Sequence, residues 1–252
     1  MNPEDRRQEI VNLVMRSGTV HLDDLVDHFG VSRMTIHRDL DLLEHRGLLR
    51  KERGSATAES SLLFESNFHY RAQVAVEEKR ALARAACRLI EPGNVIMIDD
   101  STTTLAITEE IEHIDFLTVI TNSYAASERL RDRPNVQLIG TGGVYNDTLK
   151  GFYGLACEHT LSRMRADWAF LSAPSIIGTS LYHQDQDVVR MKRALMESAE
   201  RSALLLTHRK FSTRALNQFA ELSEFDRIFI GARAEEVTLT RLRQAGISFE
   251  TV

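Results

Sequence analysis

The stretch "VSRMTIHRDLDLLEHRGLLRKERG" (Val31–Gly54) joins a helical pattern to a cluster of cations. Ile36, Leu40 and Leu43 recur at helical spacing and form one apolar stripe. Ser32 is suited to cap the start of this helix, and Gly47 to stop it. The polar face carries Arg33, Thr35, His37 and Arg38 within two turns of that start. Arg46, Arg50, Lys51 and Arg53 then follow within eight residues.

Working outward, two more helices precede this one. The first begins near Pro3, where proline is tolerated, and places Ile10, Leu13 and Val14 on one face before Ser17-Gly18. The second, "LDDLVDHFG", aligns Leu22, Leu25, Val26 and Phe29 and stops at Gly30. Helix, glycine-containing turn and helix make a helix-turn-helix, although a protein-interaction module would use the same pattern. A recognition helix offers its N-terminal residues to base edges in the major groove, where Arg bonds guanine and Thr meets phosphate or a thymine methyl. The alternative is a solvated face with Asp39 paired to an arginine. "LLRKERGSA" reads as a strand and a turn at Gly54, a wing with Arg50, Lys51 and Arg53 against phosphates. The expected DNA-contacting set is therefore Ser32, Arg33, Thr35, His37, Arg38, Arg50, Lys51 and Arg53.

The whole chain of 252 residues has a formal charge of −5, which by itself argues weakly against nucleic acid. Distribution matters more. Residues 1–31 carry six acidic and three basic residues, whereas residues 32–57 carry four acidic and six basic. The positive charge gathers in the stretch quoted above. With 43% apolar residues the chain can bury a sizeable core. No apolar run reaches the roughly 18 residues of a membrane span, and "MNPEDRRQEIVNLVM" does not resemble a signal peptide. Cys87 and Cys157 lie far apart and outside any CxxC pattern, so they are read as buried thiols in a reducing cytoplasm.

The expected organisation is an all-α winged helix-turn-helix domain over 1–57, a linker over 58–75 and an α/β domain over 76–252. Leu62, Leu63, Phe64, Phe68 and Tyr70 want burial, which argues against a low-complexity tail. Beyond them short apolar strands alternate with helices: "EEKRALARAACRLI", "NVIMID", "LAITEEIE", "FLTVIT", "YAASERLRD", "NVQLIG", and later "WAFLSA", "VVRMKRALMESA", "ALLLT", "RIFIGA" and "EEVTLTRLRQA". That alternation predicts a largely parallel sheet, whose ligands sit outside the carboxyl ends of the strands.

The loops after strands are thus the places to search. "DDSTTT" supplies Asp100, Ser101, Thr102, Thr103 and Thr104 at the expected N-terminus of a helix, where an anion is favoured. Ordinary capping needs only one of those hydroxyls. "TNS" supplies Thr121, Asn122 and Ser123, and "GTGG" supplies Gly142 and Gly143, which suit either a close ligand approach or a plain turn. Lys210 in "THRKFS" and Lys192 in "VVRMKRAL" complete the set, each equally readable as a surface lysine. Together they suit a small phosphorylated polyol. No cofactor and no metal site is expected.

These segments resemble the DeoR family of bacterial repressors over nearly the whole chain. "RRQEIVNLV", "VSRMTIHRDLDLLEHRGLL" and the basic wing carry the resemblance in the first domain. There His37 stands where V-S-x-x-T-I-R-R-D-L has its first Arg, and Glu52 and Ser55 depart from R-x-H-G-G-A. "EEKRALARAA", "IDDSTTTLA", "VITNS", "GTGGVYN", "GFYG", "ADWAFLSA" and "LLLTHRKF" carry it in the second. The family's D-S-G-T-T-T here has Asp100 at the serine and Ser101 at the glycine. Thr207 replaces the aspartate of L-A-D-S-S-K-F, and Asp185 and Asp187 stand nearest to the usual paired glutamates. The resemblance implies a sugar-phosphate-isomerase-like fold in the second domain, and a homo-oligomer, dimer or tetramer, on a double-stranded DNA operator. It also implies release by a phosphorylated sugar or related effector. Two further readings stay open: an isomerase or deaminase using Asp99, Asp100, Asp185 or Asp187 as acid or base, and a regulator whose sensing is lost.

Overall fold

The computed structural model describes residues 2–45, 48–57 and 68–252. Residues 1–71 and 72–252 form two compact units. Arg46, Gly47, Leu62, Leu63, Phe64 and the Tyr70 side chain, all read above from the sequence, lie outside the described part.

In the first unit α1 (Pro3–Ser17) starts on Asn2, whose side chain accepts the Asp5 N–H at 2.8 Å. α2 (Leu22–Phe29) ends on Gly30, whose left-handed φ of 61° lets its N–H reach Val26 O. α3 (Arg33–His45) follows, with Ser32 Oγ accepting the Thr35 N–H at 3.2 Å. Ile10, Val14, Leu25, Ile36, Leu40 and Leu43 are at most 1% exposed and meet in one core. Each such burial is worth about 1.5–3 kcal/mol, a large share of the stability of so small a unit. Asp39 is buried as well, at 4% exposure, and is clamped by Arg6 Nε at 2.6 Å and Arg7 Nε at 2.9 Å. Its partners thus come from α1 rather than from its own helix, and Asp39 lies on the core side of α3.

The expected wing is the hairpin of β2 (Arg50–Glu52) and β3 (Ser55–Thr57), turning at Arg53-Gly54 with Gly54 at φ 84°. A further strand, β1 (Thr19–His21), pairs antiparallel with β3, so the unit holds a three-stranded sheet β1-β3-β2 rather than helices and a lone wing. Three residues are too few for a strand to show its period of two in sequence.

The second unit is built on seven parallel strands: β4 (Val95–Ile98), β5 (Leu117–Thr121), β6 (Val136–Gly140), β9 (Ala166–Leu171), β12 (Ala199–Leu206), β14 (Arg227–Ile230) and β15 (Glu250–Thr251). Their order is β15-β14-β12-β9-β4-β5-β6. Side chains alternate between two buried faces. Ile96, Ile98, Trp168, Phe170 and Leu205 enter one core, and Met97, Ala169, Leu171, Leu204 and Leu206 the other. Burial on both faces is why the strands read as continuous apolar runs. Both cysteines are buried free thiols, and burial, helped by Glu110, pushes Cys87 up to about 12.

Two features had no counterpart in the sequence reading. One is the hairpin of β7 (Val144–Asn146) and β8 (Gly151–Tyr153). The other is an antiparallel sheet of β10 (Ser175–Ile177), β11 (Ser180–His183) and β13 (Asn217–Glu221). The expected linker also contains a helix, Phe68–Gln73, shortly before the helix Val76–Cys87. Among the described residues no helix is long and apolar enough to cross a membrane.

Candidate functional site

The chain runs β4-β5-β6 outward to one edge of the sheet, then returns beside β4 with β9 and continues β12-β14-β15 to the other. The order reverses between β4 and β9, and a crevice at the carboxyl ends of such strands is where α/β sheets bind ligands. Asp99 and Ser172 stand there, one residue past β4 and β9.

Asp99 is wholly buried and organises this point. Its Oδ1 accepts the Thr104 hydroxyl at 2.6 Å and the Ser101 N–H at 3.0 Å, and its Oδ2 accepts the Ser172 N–H at 3.0 Å and pairs with Lys192 Nζ. Burial by itself raises a carboxyl, but the Lys192 ammonium and these hydrogen bonds outweigh it and hold Asp99 below its usual range. Lys192 is 2% exposed and also donates to Ser172 O at 2.9 Å. It is an interior cation, not a residue of a solvated helix face. In the helix Gln186–Glu197 the buried positions are Val188, Met191, Lys192 and Leu195, an apolar stripe in which a lysine occupies one place.

The "DDSTTT" loop differs from the expectation of four available hydroxyls at a helix start. It enters a 3-10 turn (Thr104–Ala106) and a helix of only four residues, Ile107–Glu110, so little helix dipole faces it. Ser101 Oγ accepts the Thr104 N–H at 3.1 Å and lies 2.8 Å from the Thr104 hydroxyl, so both residues are engaged in shaping the loop. Thr102 Oγ1 accepts from Lys79 Nζ at 2.9 Å, and Thr103 is buried. Lys79, absent from the sequence-based set, is itself 6% exposed and lines a cavity of about 210 Å³ with Thr102, Arg80, Arg129 and Glu109.

Of the second loop, Thr121 donates to Ile98 O at 2.6 Å and Ser123 caps the helix Tyr124–Leu130 by accepting the Ala126 N–H. Asn122 is wholly buried, and its Nδ2 donates to Phe152 O at 3.3 Å. Gly142 and Gly143 both have positive φ. A Cβ on Gly143 would lie 2.5 Å from Tyr153 O, so the glycine there admits the protein's own backbone. Lys210 follows β12 in a half-buried 3-10 turn, His208–Phe211. That turn is fastened by Glu78, which accepts the His208 N–H at 2.8 Å and lies 2.7 Å from His208 Nδ1. A Cβ on Gly231 would strike Glu78, so this glycine makes room for the anchor.

The acids that an enzyme would need are largely committed. Asp185 caps its helix through the Asp187 N–H, Asp187 pairs with Arg190, and Asp99 is held by Lys192. No group of three or more His, Cys, Asp or Glu that could hold a metal occurs among the described residues.

In the first unit the exposed face of α3 presents Arg33, Met34 and Arg38, with His37 half-buried beside them. Arg33 pairs with the exposed Asp23 at 2.9 Å. Ser32 and Thr35 bond each other at 2.9 Å as the cap. Lys51 is drawn to α3 by Asp41, and its N–H by Glu44 at 2.7 Å, whereas Arg50 and Arg53 are exposed. Met34, 63% exposed, was not singled out by sequence; its signal is a large apolar residue off the Ile36-Leu40-Leu43 stripe and among cations.

A winged helix-turn-helix joined to a parallel α/β unit with a polar switch point is the architecture of a DNA-binding regulator with its own sensor. Residues 6–61 match the DeoR-like helix-turn-helix domain and residues 74–232 the DeoR C terminal sensor domain. The chain belongs to the DeoR family of transcriptional regulators. It is 33% identical over 228 residues to the uncharacterized HTH-type transcriptional regulator YgbI of Escherichia coli (strain K12), covering 90% of this chain and 89% of that one. It is 30% identical over 233 residues to the glycerol-3-phosphate regulon repressor of the same organism, covering 92% of each. The L-fucose operon activator of Haemophilus influenzae is 32% identical over 225 residues, covering 89% of this chain and 90% of that one. These names are those of regulators, not enzymes. A partial likeness to a D-ribose-5-phosphate isomerase covers 54% of each chain at TM-score 0.41 and 17% identity, too low to carry an argument.

Proposed function

We propose that this chain is a cytoplasmic repressor of a carbohydrate operon that binds its operator as a homo-oligomer, a dimer or tetramer, and leaves it when a phosphorylated sugar or related metabolite binds. The carrying observation is the sheet's switch point, where β4, β5 and β9 end in buried polar side chains whose hydrogen-bonding capacity the protein only partly fills. The exposed arginines of α3 and of the wing serve operator binding. Lys79 with Thr102, and Lys210 on its anchored turn, supply cations for an anionic ligand group. The relatives named for glycerol 3-phosphate and L-fucose systems support this class of effector. The ligand shifts a population between DNA-competent and DNA-incompetent states by no more than its differential affinity for them.

The test is thermal unfolding of the full chain against phosphorylated sugars, sugar acids and their unphosphorylated forms, with operator release measured for each hit. A ligand at 100 Kd adds about 2.7 kcal/mol of stability, readily visible as a shift. A panel that neither shifts unfolding nor releases operator DNA refutes the reading.

A further inference from the structure

Three neighbouring strands of the central sheet, β9, β4 and β5, each end beside a buried oxygen without a hydrogen-bond partner among the described residues: Ser172 Oγ, Asp100 Oδ1 and Asn122 Oδ1. Buried polar atoms are nearly always bonded, so three in a row at one place call for an explanation. The row spans two inter-strand spacings, roughly 10 Å, across the switch point. Asp100 and Asn122 also share a wall. A Cβ on Gly151 would lie 3.2 Å from Asp100 Cβ, and the adjacent Phe152 gives its N–H to Asn122 O at 2.8 Å.

The chemistry of the row is one-sided. A carboxylate offers only acceptors. The Asn122 amide spends its Nδ2 on Phe152 O, which fixes its oxygen as the unmet end. The nearby cation does not meet the row: Lys192 gives two of its three N–H groups to Asp99 Oδ2 and Ser172 O, and none of the three unmet oxygens is bonded to it. An anionic group is itself acceptor-rich and would face the Asp100 carboxylate at close range. A hydroxylated carbon chain fits: adjacent O–H groups donate to Asp100 and Asn122, and Ser172 can accept or donate.

We infer that Asp100 is the specificity-determining residue of the sensor site. It selects the polyol part of the effector through hydroxyl donors and keeps the effector's anionic group away from the carboxyl ends of β4 and β5. This rests on the sensor reading above and adds the ligand's orientation: hydroxyls on Asp100 and Asn122, any phosphate on the Lys79–Thr102 side.

The experiment uses the full chain, its Asp100→Asn and Asp100→Ser variants, and Lys79→Met. The probes are inorganic phosphate, glycerol 3-phosphate, ribose 5-phosphate, glucosamine 6-phosphate as an amine-bearing arm, and ribitol as a polyol without phosphate. Without ligand, both Asp100 variants are expected to melt at or above the wild-type temperature, since each removes a buried carboxylate whose Oδ1 has no hydrogen-bond partner; melting several degrees lower would make Asp100 a structural residue and overturn the inference. With ligand, the hydroxylated probe that stabilises the wild type best is expected to lose at least tenfold in affinity in Asp100→Asn, while Asp100→Ser gains affinity for inorganic phosphate. A stronger response to the amine than to the hydroxyl arm would replace the polyol by an ammonium and overturn the stated class. Equal affinities in the wild type and Asp100→Asn, with binding lost in Lys79→Met, would sink the inference and leave the sensor reading standing. No binding by any of the four proteins would sink both.

Discussion

Lys192 and Asp99 illustrate how a single pair sets both stability and site geometry. Asp99 holds the "DDSTTT" loop through Thr104 and Ser101 and reaches β9 through Ser172, so its charge is spent on shape as much as on Lys192. Removing one partner of a buried pair strands the other, which costs about 3–5 kcal/mol. Lys192→Met is therefore expected to lower the urea-unfolding free energy of the sensor unit by about that amount. Asp99→Asn/Lys192→Met together should recover part of it, because no uncompensated charge is left. The pH dependence follows from the lowered carboxyl of Asp99. A group with a folded pKa below its unfolded one contributes stability above the unfolded value, and this is lost as pH falls through the folded value. The stability gap between the wild type and Lys192→Met should thus narrow as pH falls through the lowered range of Asp99, because protonation there breaks the pair in the wild type but only removes the stranded charge in the variant. A gap that stays constant down to acid unfolding would show that the pair does not set acid stability.

At the scale of the element, one pattern links three buried charges whose burial the sequence reading did not foresee. Asp39 lies in α3 with Ile36, Leu40 and Leu43; Lys79 lies with Leu82, Ala83 and Ala86; Lys192 lies with Val188, Met191 and Leu195. Each is a charged residue in an otherwise apolar stripe, at positions i, i+3, i+4 and i+7. The stripes were legible because apolar residues mark the buried face. Their charged members could not be read as buried, because an isolated charge in a core is too costly and the partners come from distant elements: Arg6 and Arg7 for Asp39, Asp99 for Lys192, and Thr102 among those of Lys79. The short hairpins had no such period to read. The contrast gives a paired expectation for α3. Asp39→Ala should destabilise the helix-turn-helix unit by about 3–5 kcal/mol and lose operator binding with the fold. Arg38→Ala should leave stability within about 0.5 kcal/mol, as an exposed substitution does, yet lose about 1–3 kcal/mol of discrimination for the operator over a mismatched site. Circular dichroism melts and operator titrations separate them, and an Arg38→Ala protein with unchanged discrimination would remove Arg38 from base recognition. On the wing, Arg53 is exposed and Lys51 is held by Asp41. Arg53→Ala should then reduce the salt slope of log affinity by about 0.9 per operator contact, whereas Lys51→Ala changes wing placement first. Parallel salt titrations that give both variants the wild-type slope would mean that neither meets a phosphate.

For the whole molecule, the sequence's division of charge and pattern carries over into structure: a cation-bearing helical unit and an acidic α/β unit whose candidate loops all lie at strand carboxyl ends. Composition and periodicity made that arrangement readable. The detail of the sensor end was not, since it depends on which hydroxyls and lysines the protein consumes internally. If a metabolite bound at β4, β5 and β9 governs the helix-turn-helix, the two sites share one coupling free energy, typically about 1–3 kcal/mol, or 5–150-fold in affinity. Reciprocity makes this checkable without knowing how the signal travels. Whatever factor the effector takes from operator affinity, the operator must take from effector affinity. The expected result is that calorimetric titration of the effector into the operator complex gives a Kd raised by the same factor as the operator's own Kd at saturating effector. Lys210→Ala should reduce effector affinity while leaving operator binding without effector unchanged. An effector that releases operator DNA but binds free and operator-bound protein equally well would break the thermodynamic cycle, and release would then have to come from an effect on the DNA itself, not from the sensor unit.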